Sequence, residues 1–435
     1  MAQEKDKRIG GQGRVFLFLQ GPHGPFFQGL GRALEATGAR AFRIGFNTGD
    51  SAFWPDRRSY IPFRGMQSEW PAFLQKIVSQ KQVTDVVLYS NTRWMHRTAK
   101  TLANSAGLAL HIFEEGYLRP YWISYERDGS NGQSPLMQID INQMKAVRDR
   151  MQLDTAVPPS HWGDTRQHIF YGALYHWFVM FLNQRYPSFR AHRALKVHQE
   201  FWLNLKRLLL LPLHSAERWL ATFRIRRGGY PYHLALLQLE HDASFQTYGP
   251  FDSQAQFVQS VIEGFAAGAA AHHHLVFKAH PLEDGRVPLK AVIKDAARAH
   301  GVLGRIHFVR GGKLAWLLKD ARSAVTVNST AGQQALWRGI PLRALGQAVY
   351  CKPELVSDQP LADFFMNPQK PDHDSYRVFR DFLLKTSQLP GSFYAKPGRQ
   401  QALRQVVDLL LAASDPYARH QPESAAPAQQ LRSVK

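Results

Sequence analysis

The sequence predicts an α/β protein: two Rossmann-like domains with a basic, aromatic-rich helical insertion between them. Three observations carry this expectation. Two stretches alternate short apolar strands with helices, a segment of different composition separates them, and 435 residues suit two ordinary domains rather than one. In the first stretch RVFLFLQ (Arg14 to Gln20) reads as a strand ending in the loop GPHGPF, followed by a helix from Phe27 to Thr37 and the strand ARAFRIGF. A helix near Trp70 to Gln80, the strand TDVVLYS, a helix from Met95 to Gly107 and the strand ALHIFEEG complete it. The second stretch runs HLALLQLE, a helix Gln254 to Ala269, HLVFKAHP, a helix near Leu289 to His300, RIHFVR, a helix Lys313 to Asp320 and SAVTVNST. A helix Ala331 to Arg338 and the strand-like PLRALG close it. Apolar strands spaced by helices of this length read as parallel sheets, with ligands at the carboxyl ends of the strands and a cleft between the halves. The expected divisions are an N-terminal domain over 1–165, the insertion over 166–230, a C-terminal domain over 231–372, helices packing back across the cleft over 373–413, and a disordered Ala/Gln/Pro-rich tail over 414–435.

Composition narrows the class. Lys and Arg number 54 against 34 Asp and Glu, a balance of +20 with a pI near 10.1, so the chain attracts an anionic partner: nucleic acid, lipid headgroups or a phosphorylated small molecule. The single cysteine, Cys351, excludes a disulfide framework and a thiolate zinc site and suits a reducing cytoplasm. No secretory signal is expected from the first twenty residues. The longest apolar candidate, Phe170 to Leu182, falls short of a bilayer span and contains His176. Between Arg166 and Arg227 stand eleven Lys and Arg against two acids, Glu200 and Glu217, a net of +9, interleaved with Phe170, Tyr171, Tyr175, Trp177, Phe178, Phe181, Trp202, Trp219 and Phe223. Helices of this kind suit the headgroup boundary of an anionic membrane, and equally a helical insertion packed on the sheets. No RRM, zinc-finger or basic-helix signature supports a nucleic-acid partner.

Each chemical candidate sits where a strand gives way to a loop. Gly21, Pro22, His23 and Gly24 follow the first strand and permit close backbone approach to a ligand, in a loop that is neither a GxGxxG fingerprint nor a Walker A. Glu114 and Glu115 end an apolar strand before Gly116, with Arg119 beyond; burial and mutual repulsion would raise one of them toward neutrality, although a helix start with acids in its first turn reads the same way. Asp242, in Gln238-Leu239-Glu240-His241-Asp242, is a candidate catalytic carboxylate or an N-cap. Lys278, His280 and Pro281 end another strand, where His280 can donate to a phosphate. The run His272 to His274 reads as a solvated loop. Asn328, Ser329, Thr330 and Gln333 lead into a helix in the manner of a phosphate-binding helix start, or of an ordinary hydroxyl cap. Together, carboxylates of one half facing a His-Pro and a hydroxyl-capped helix of the other make the layout of a two-domain glycosyltransferase using a nucleotide sugar.

The stretches FLQGPHGPFF, FEEGYLRPYWI, LLQLEHDASF, FKAHPLEDG and VNSTAGQQALWRGIPL, with DQPLADFF and GSFY further on, resemble in that order the capsular polysaccharide β-Kdo transferases of the KpsS/LipB type. The resemblance implies a GT-B-like arrangement, CMP-β-Kdo as donor, and a lyso-phosphatidylglycerol or phosphatidylglycerol acceptor. It places the protein in the cytoplasm, peripheral on the inner membrane, starting a poly-Kdo linker beside other capsule assembly proteins. The acid-acid-Gly and His-Pro pair is similar to motifs of bacterial sialyltransferases. By that likeness Glu115, or alternatively Glu114, is the acid/base. His280, Ser329 and Thr330 hold the CMP phosphate, with Gln238, Lys278, Pro281, Asn328 and Gln333 around the donor and the Gly21 loop and Arg119 toward the acceptor. QLEHDAS is similar to the Gln-x-Glu-Asp-Asp-Ala-Ser strand end of KpsC-type β-Kdo transferases, with His241 in place of the first Asp. A β-linked donor and β product imply retention, which gives Asp242 the role of nucleophile. No metal or cofactor is expected, since the leaving group is a nucleoside monophosphate. The rival expectations are a non-catalytic membrane-associated scaffold of capsule export and a transferase for another CMP-linked 2-keto sugar such as sialic acid.

Overall fold

The computed structural model describes residues 10–119, 121–149, 165–189, 202–203, 206, 209–283 and 285–418. Six strands precede the insertion: β1 (Val15–Phe18), β2 (Arg40–Gly45), β3 (Tyr60–Pro62), β4 (Asp85–Tyr89), β5 (Ala109–Glu115) and β6 (Trp122–Arg127). After it come β7 (Tyr232–Leu236), β8 (His274–Lys278), β9 (Ile306–Val309), β10 (Ala321–Thr326), β11 (Leu342–Ala344) and β12 (Gln388–Pro390). They form two sheets, ordered β12-β6-β5-β4-β1-β2-β3 and β11-β10-β7-β8-β9. The second sheet is parallel throughout, and so are β1 to β5. Alternation along the strands covers both faces of the first sheet. Phe16, Phe18, Val87 and Phe113 pack with Leu30 and Leu34 of the helix Phe26–Glu35, while Leu17, Val86, Leu88 and Ile112 pack with Trp70, Leu74 and Ala99.

The first sheet departs from the all-parallel expectation. β6 runs antiparallel to β5, and β12 antiparallel to β6. Only residues 116–121 separate β5 from β6, too few for a parallel crossover, so Glu114 and Glu115 end a strand that doubles back rather than one that opens a helix. β12 arrives from the far end of the chain, and the helix that follows it, Lys396–Leu411, lies against the helix Phe26–Glu35.

Two arginines fix this return. A helix C-terminus leaves carbonyls without intrahelical donors and carries partial negative charge. Arg127, only 9% exposed, donates to the carbonyls of Leu409 (3.3 Å), Leu410 (3.4 Å), Ala412 and Ala413 (3.2 Å), and Arg14 donates to Leu410 O (2.9 Å) while paired with Asp85. Asp85 in turn is bonded by buried His111 (2.8 Å). The tail expectation fails at its start: Tyr417 is buried and donates to Glu126 Oε1 (2.6 Å), because a phenol fills the gap beside Phe382 and satisfies that interior carboxylate. Residues 419–435 lie outside the described residues.

The two domains share an apolar core, which residues 117–147 of the first domain form with the second sheet. Tyr117, Leu136, Met144 and Val147 cluster with Ile340, Leu342, Tyr350, Tyr376 and Phe382, and Lys352 Nζ crosses to the carbonyls of Leu136 (2.8 Å) and Met137 (3.0 Å). The insertion contributes one helix to each domain. Thr165–Phe181 buries Tyr175 and Val179 against Phe53 of the first domain, whereas Leu211–Arg227 buries Ile225 in the shared core and its Glu217 bonds Lys290 and Arg310 of the second. Neither helix is apolar on one side only. Ile169, Phe170, Trp177 and Phe181 on the first, and Leu213, Trp219 and Phe223 on the second, remain exposed. Arg190, Arg193, Lys196, Glu200 and Arg207 of this segment lie outside the described residues, and among those described no helix is long and apolar enough to cross a membrane.

The arginine clamp yields a stability prediction. Arg127→Ala strips several buried carbonyls of their donor and should lower unfolding free energy by about 3 kcal/mol. Arg127→Lys, a point charge without the planar fork, should recover less than half, as read from denaturant midpoints at constant slope.

Candidate functional site

In the second sheet the chain order reverses between β7 and β10, and open α/β sheets bind ligands at such a switch point. The loops leaving these two strands are tied together by one reciprocal pair. Gln238 Nε2 donates to Asn328 Oδ1 (2.8 Å), and the Asn328 N–H donates back to Gln238 Oε1 (3.0 Å). Asn328 Nδ2 then donates to Ser244 O (2.8 Å), in the short helix Ala243–Tyr248 that Asp242 caps. Gln238 and Asn328 are both buried, and their amide groups are engaged with protein. Their expected place around the donor is therefore corrected: they hold the loops that carry Asp242 and Ser329.

Asp242 is exposed at the rim. The register Leu236↔Lys278 brings the β8 end, with Lys278 and His280, alongside the β7 end. His280 Nδ1 accepts from the Leu282 N–H (3.1 Å), which puts the proton of a neutral ring on Nε2. Pro281 is exposed beside it. Lys278 is buried, and burial followed by the nearby Arg218 charge pushes its ammonium down to about 8. Ser329 Oγ accepts from the Ala331 N–H (3.2 Å), and the helix that follows, Gly332–Leu336, is a single turn. Gln333 is buried and donates across the domain boundary to Tyr117 O (3.0 Å), so its amide belongs to the junction. Thr330 stands at that junction with Asn131, Ser244 and Tyr350, around a cavity of only about 10 Å³, one water's worth of space.

In the first sheet the switch point lies between β1 and β4. The Gly21 to Gly24 loop occupies the β1 end, yet its close approach serves the protein itself. A side chain at Gly24 (φ +111°) would meet the Tyr171 ring at 3.1 Å, and His23 stacks on Tyr175 at 4.2 Å. Gly21 and Pro22 are buried with it, so this loop seats the first insertion helix instead of lying open to a ligand. The β4 end, Ser90-Asn91-Thr92-Arg93, supplies what the sequence reading missed. Ser90 holds φ +64°, an uncommon conformation at a strand end beside a site. Arg93 bonds Gln20 Oε1 (2.9 Å), and Asn91 Oδ1 accepts from Tyr248 OH of the second domain (3.3 Å).

Adjacent residues of a strand point to opposite faces, and this separates the two glutamates. Glu114 turns toward the second domain. Its Oε1 accepts from Asn131 Nδ2 (3.0 Å) and Ser130 Oγ (3.3 Å). Burial pushes this half-buried carboxyl up to about 7; the Asp242 carboxylate reinforces the shift, while bonds from Ser90 and Ser130 and the charge of Arg93 oppose it. Glu115 turns the other way, to Tyr89 OH (3.3 Å) and Tyr394, on whose ring His168 of the first insertion helix stacks at 4.0 Å. Arg119 is exposed at that rim, its Nε on Gly116 O (3.3 Å). Glu114 and Asp242 thus sense each other across the domain boundary, with Lys278 and His280 at the β8 end next to that of β7, and Glu115, Arg119 and the Gly21 loop do not join them. Tyr394 lies in the GSFY stretch. Among the described residues no group of three or more His, Cys, Asp or Glu side chains is placed to hold a metal ion. A larger cavity, about 550 Å³ and lined by Phe46, Phe63, Met66, Trp94 and Phe189, lies apart from these groups at the ends of β2 and β3.

Comparison with known proteins gives one family. Residues 84–394 match the family described as capsule polysaccharide biosynthesis protein. The capsule polysaccharide modification protein LipB of Neisseria meningitidis serogroup B is 32% identical over 387 residues, 87% of this chain and 91% of that protein. The capsule polysaccharide export protein KpsS of Escherichia coli is 28% identical over 383 residues, 88% of this chain and 97% of that one. Among solved structures, KpsC of Thermosulfurimonas dismutans, a β-Kdo 2,7 transferase, aligns over 91% of this chain and 99% of that one, at 13% identity and a TM-score of 0.42.

Glu126 is likewise pushed up to about 7, by burial against hydroxyl bonds from Ser134, Tyr117 and Tyr417. A carboxyl raised from 4.5 keeps a proton in the fold that the unfolded chain has released, so stability present below about pH 4.5 is lost as pH climbs through 7. Glu126→Gln should flatten that decline in unfolding measurements across the window. Asp242→Asn should move the Glu114 midpoint downward in a carbon NMR titration of labelled glutamate; an unmoved midpoint would mean the two carboxylates do not sense each other.

Proposed function

We propose that this chain, which belongs to the capsule polysaccharide biosynthesis family, is a retaining glycosyltransferase that moves β-Kdo from CMP-β-Kdo to a lyso-phosphatidylglycerol or phosphatidylglycerol acceptor. The observation that carries this reading is a glutamate raised toward neutrality by burial and by the Asp242 carboxylate across the domain boundary, with the His-Pro strand end of β8 next to the strand that carries Asp242. Two carboxylates with separated tasks are what double displacement needs. In the first step an oxygen of Asp242 attacks the anomeric carbon of Kdo. The bond from that carbon to the phosphate oxygen breaks, and CMP leaves with the electron pair, its charge met by His280 Nε2–H. In the second step the acceptor hydroxyl attacks the same carbon from the opposite side. Its proton passes to Glu114, and the bond to Asp242 breaks. A base is most effective with a pKa near the working pH, and Glu114, pushed up to about 7 on the face toward Asp242, meets that condition.

The acceptor suits the insertion. A cytoplasmic protein serving an anionic bilayer needs apolar anchors beside cations, and Trp219 and Phe223 stack at 5.5 Å in the helix that ends in Arg224, Arg226 and Arg227. The exposed Ile169, Phe170 and Trp177 offer a second anchor on the other domain.

Incubation with CMP-Kdo and a fluorescent lyso-phosphatidylglycerol, read by mass spectrometry, should give the Kdo-bearing lipid; absence of product in wild-type protein would favour an export scaffold. Asp242→Asn should lower turnover on the order of a thousandfold, Glu114→Gln about a hundredfold and Glu115→Gln much less. A Glu115 variant that fails as badly as Glu114→Gln would return the base role to Glu115. Separately, replacing Arg224, Arg226 and Arg227 by glutamine should reduce co-sedimentation with phosphatidylglycerol vesicles several-fold and spare transfer to detergent-dispersed acceptor.

A further inference from the structure

The second insertion helix reaches the donor side of the crevice. Beyond β9 the chain turns through Gly311 (φ +69°) and Gly312 (φ +86°), conformations that favour glycine. A side chain at Gly312 would strike Arg218 Cδ at 2.8 Å, so the stem of Arg218 lies directly on this turn, and one at Gly311 would stand 3.4 Å from Pro281 Cα. Lys278 pairs with Val309, two residues before the turn, and its ammonium feels the Arg218 charge. Arg218, the glycine turn, Lys278 and the His280-Pro281 loop are therefore contiguous.

The charges there are unbalanced. Lys278 is 6% exposed, and among the described residues its Nζ makes one long contact, to Ala279 O at 3.5 Å. Arg218 donates to Ser215 Oγ at 3.2 Å. Glu217, the neighbouring acid, is already taken by Lys290 and Arg310. Among the described residues neither Lys278 nor Arg218 is paired with a carboxylate. Two cations held together, one of them buried, repel each other, and an anion seated between them relieves that repulsion.

We propose that Lys278 and Arg218, over the Gly311-Gly312 turn, form an anion-binding site that receives the phosphate or the carboxylate of the sugar donor. The anion site stands on this geometry alone, and its assignment to the donor rests on the glycosyl-transfer reading above. Arg218 supplies the planar fork suited to a bidentate oxyanion, while Lys278 adds a point charge from the strand end. The insertion helix is then a structural part of the donor site, presenting Arg218 inward and the neighbouring Trp219 to solvent.

Calorimetric titration of the full chain with inorganic phosphate, CMP, cytidine and free Kdo tests this, using Arg218→Gln, Arg218→Lys and Lys278→Met. Loss of roughly tenfold in CMP affinity in Arg218→Gln, with cytidine unchanged and Arg218→Lys partly restored, identifies the anion as phosphate. The same loss confined to Kdo identifies it as carboxylate. Phosphate binding that depends on Arg218, with no binding of CMP or Kdo to wild type, upholds the anion site and removes the glycosyl-transfer reading. Wild-type affinities in both Arg218→Gln and a folded Lys278→Met, or no binding of any probe to wild type, overturns the proposal.

Discussion

The reciprocal amide pair between Gln238 and Asn328 is the constraint on which the second half of the crevice depends. Two buried side chains span the switch point and satisfy each other, so the loops leaving β7 and β10 are locked in one relative position. Asn328 passes that position to Ser244, and hence to the capped helix that presents Asp242. A buried amide deprived of its partner costs the full desolvation of that group, so the pair is stable only when both loops are correctly placed. Asp242 owes its geometry to residues that have no chemistry of their own.

The first half of the crevice depends on strand alternation. Because β5 stops at Glu115 and the chain doubles back into β6, two sequential glutamates serve two different environments. One meets Ser130, Asn131 and the charge of Asp242; the other meets Tyr89 and Tyr394. The shared apolar core below keeps these faces in register with the second sheet, since an interface this hydrophobic resists domain motion.

The repeated strand-helix alternation was legible because short apolar runs bounded by helices leave a parallel sheet few alternatives. β6 and β12 were not. β6 sets only Ile123 and Tyr125 among the buried polar Ser124, Glu126 and Arg127, and β12 is the three residues Gln-Leu-Pro, so the apolar signal of each is weak. The facing carboxylates were legible as a pair of segments, but which glutamate faces Asp242 depends on register, which adjacent identical residues cannot disclose. The Gly21 loop misled because glycine admits an approaching aromatic ring as readily as a ligand. Gln238 and Asn328 misled because an amide that can bind a sugar can equally bind another amide. Ser90 to Arg93 were overlooked even though the rule that ligands gather at strand ends applies to β4 as it does to β5.

The antiparallel edge formed by β12 on β6 has a consequence for synthesis. The ribosome makes the first sheet in two instalments, with the whole insertion and second sheet between them. At ordinary elongation rates β6 waits on the order of tens of seconds for its neighbour, displaying unpaired backbone to any other nascent strand in reach. Until β12 is made, that edge of the first sheet stays open, and the chain order leaves its closure to the last part of synthesis.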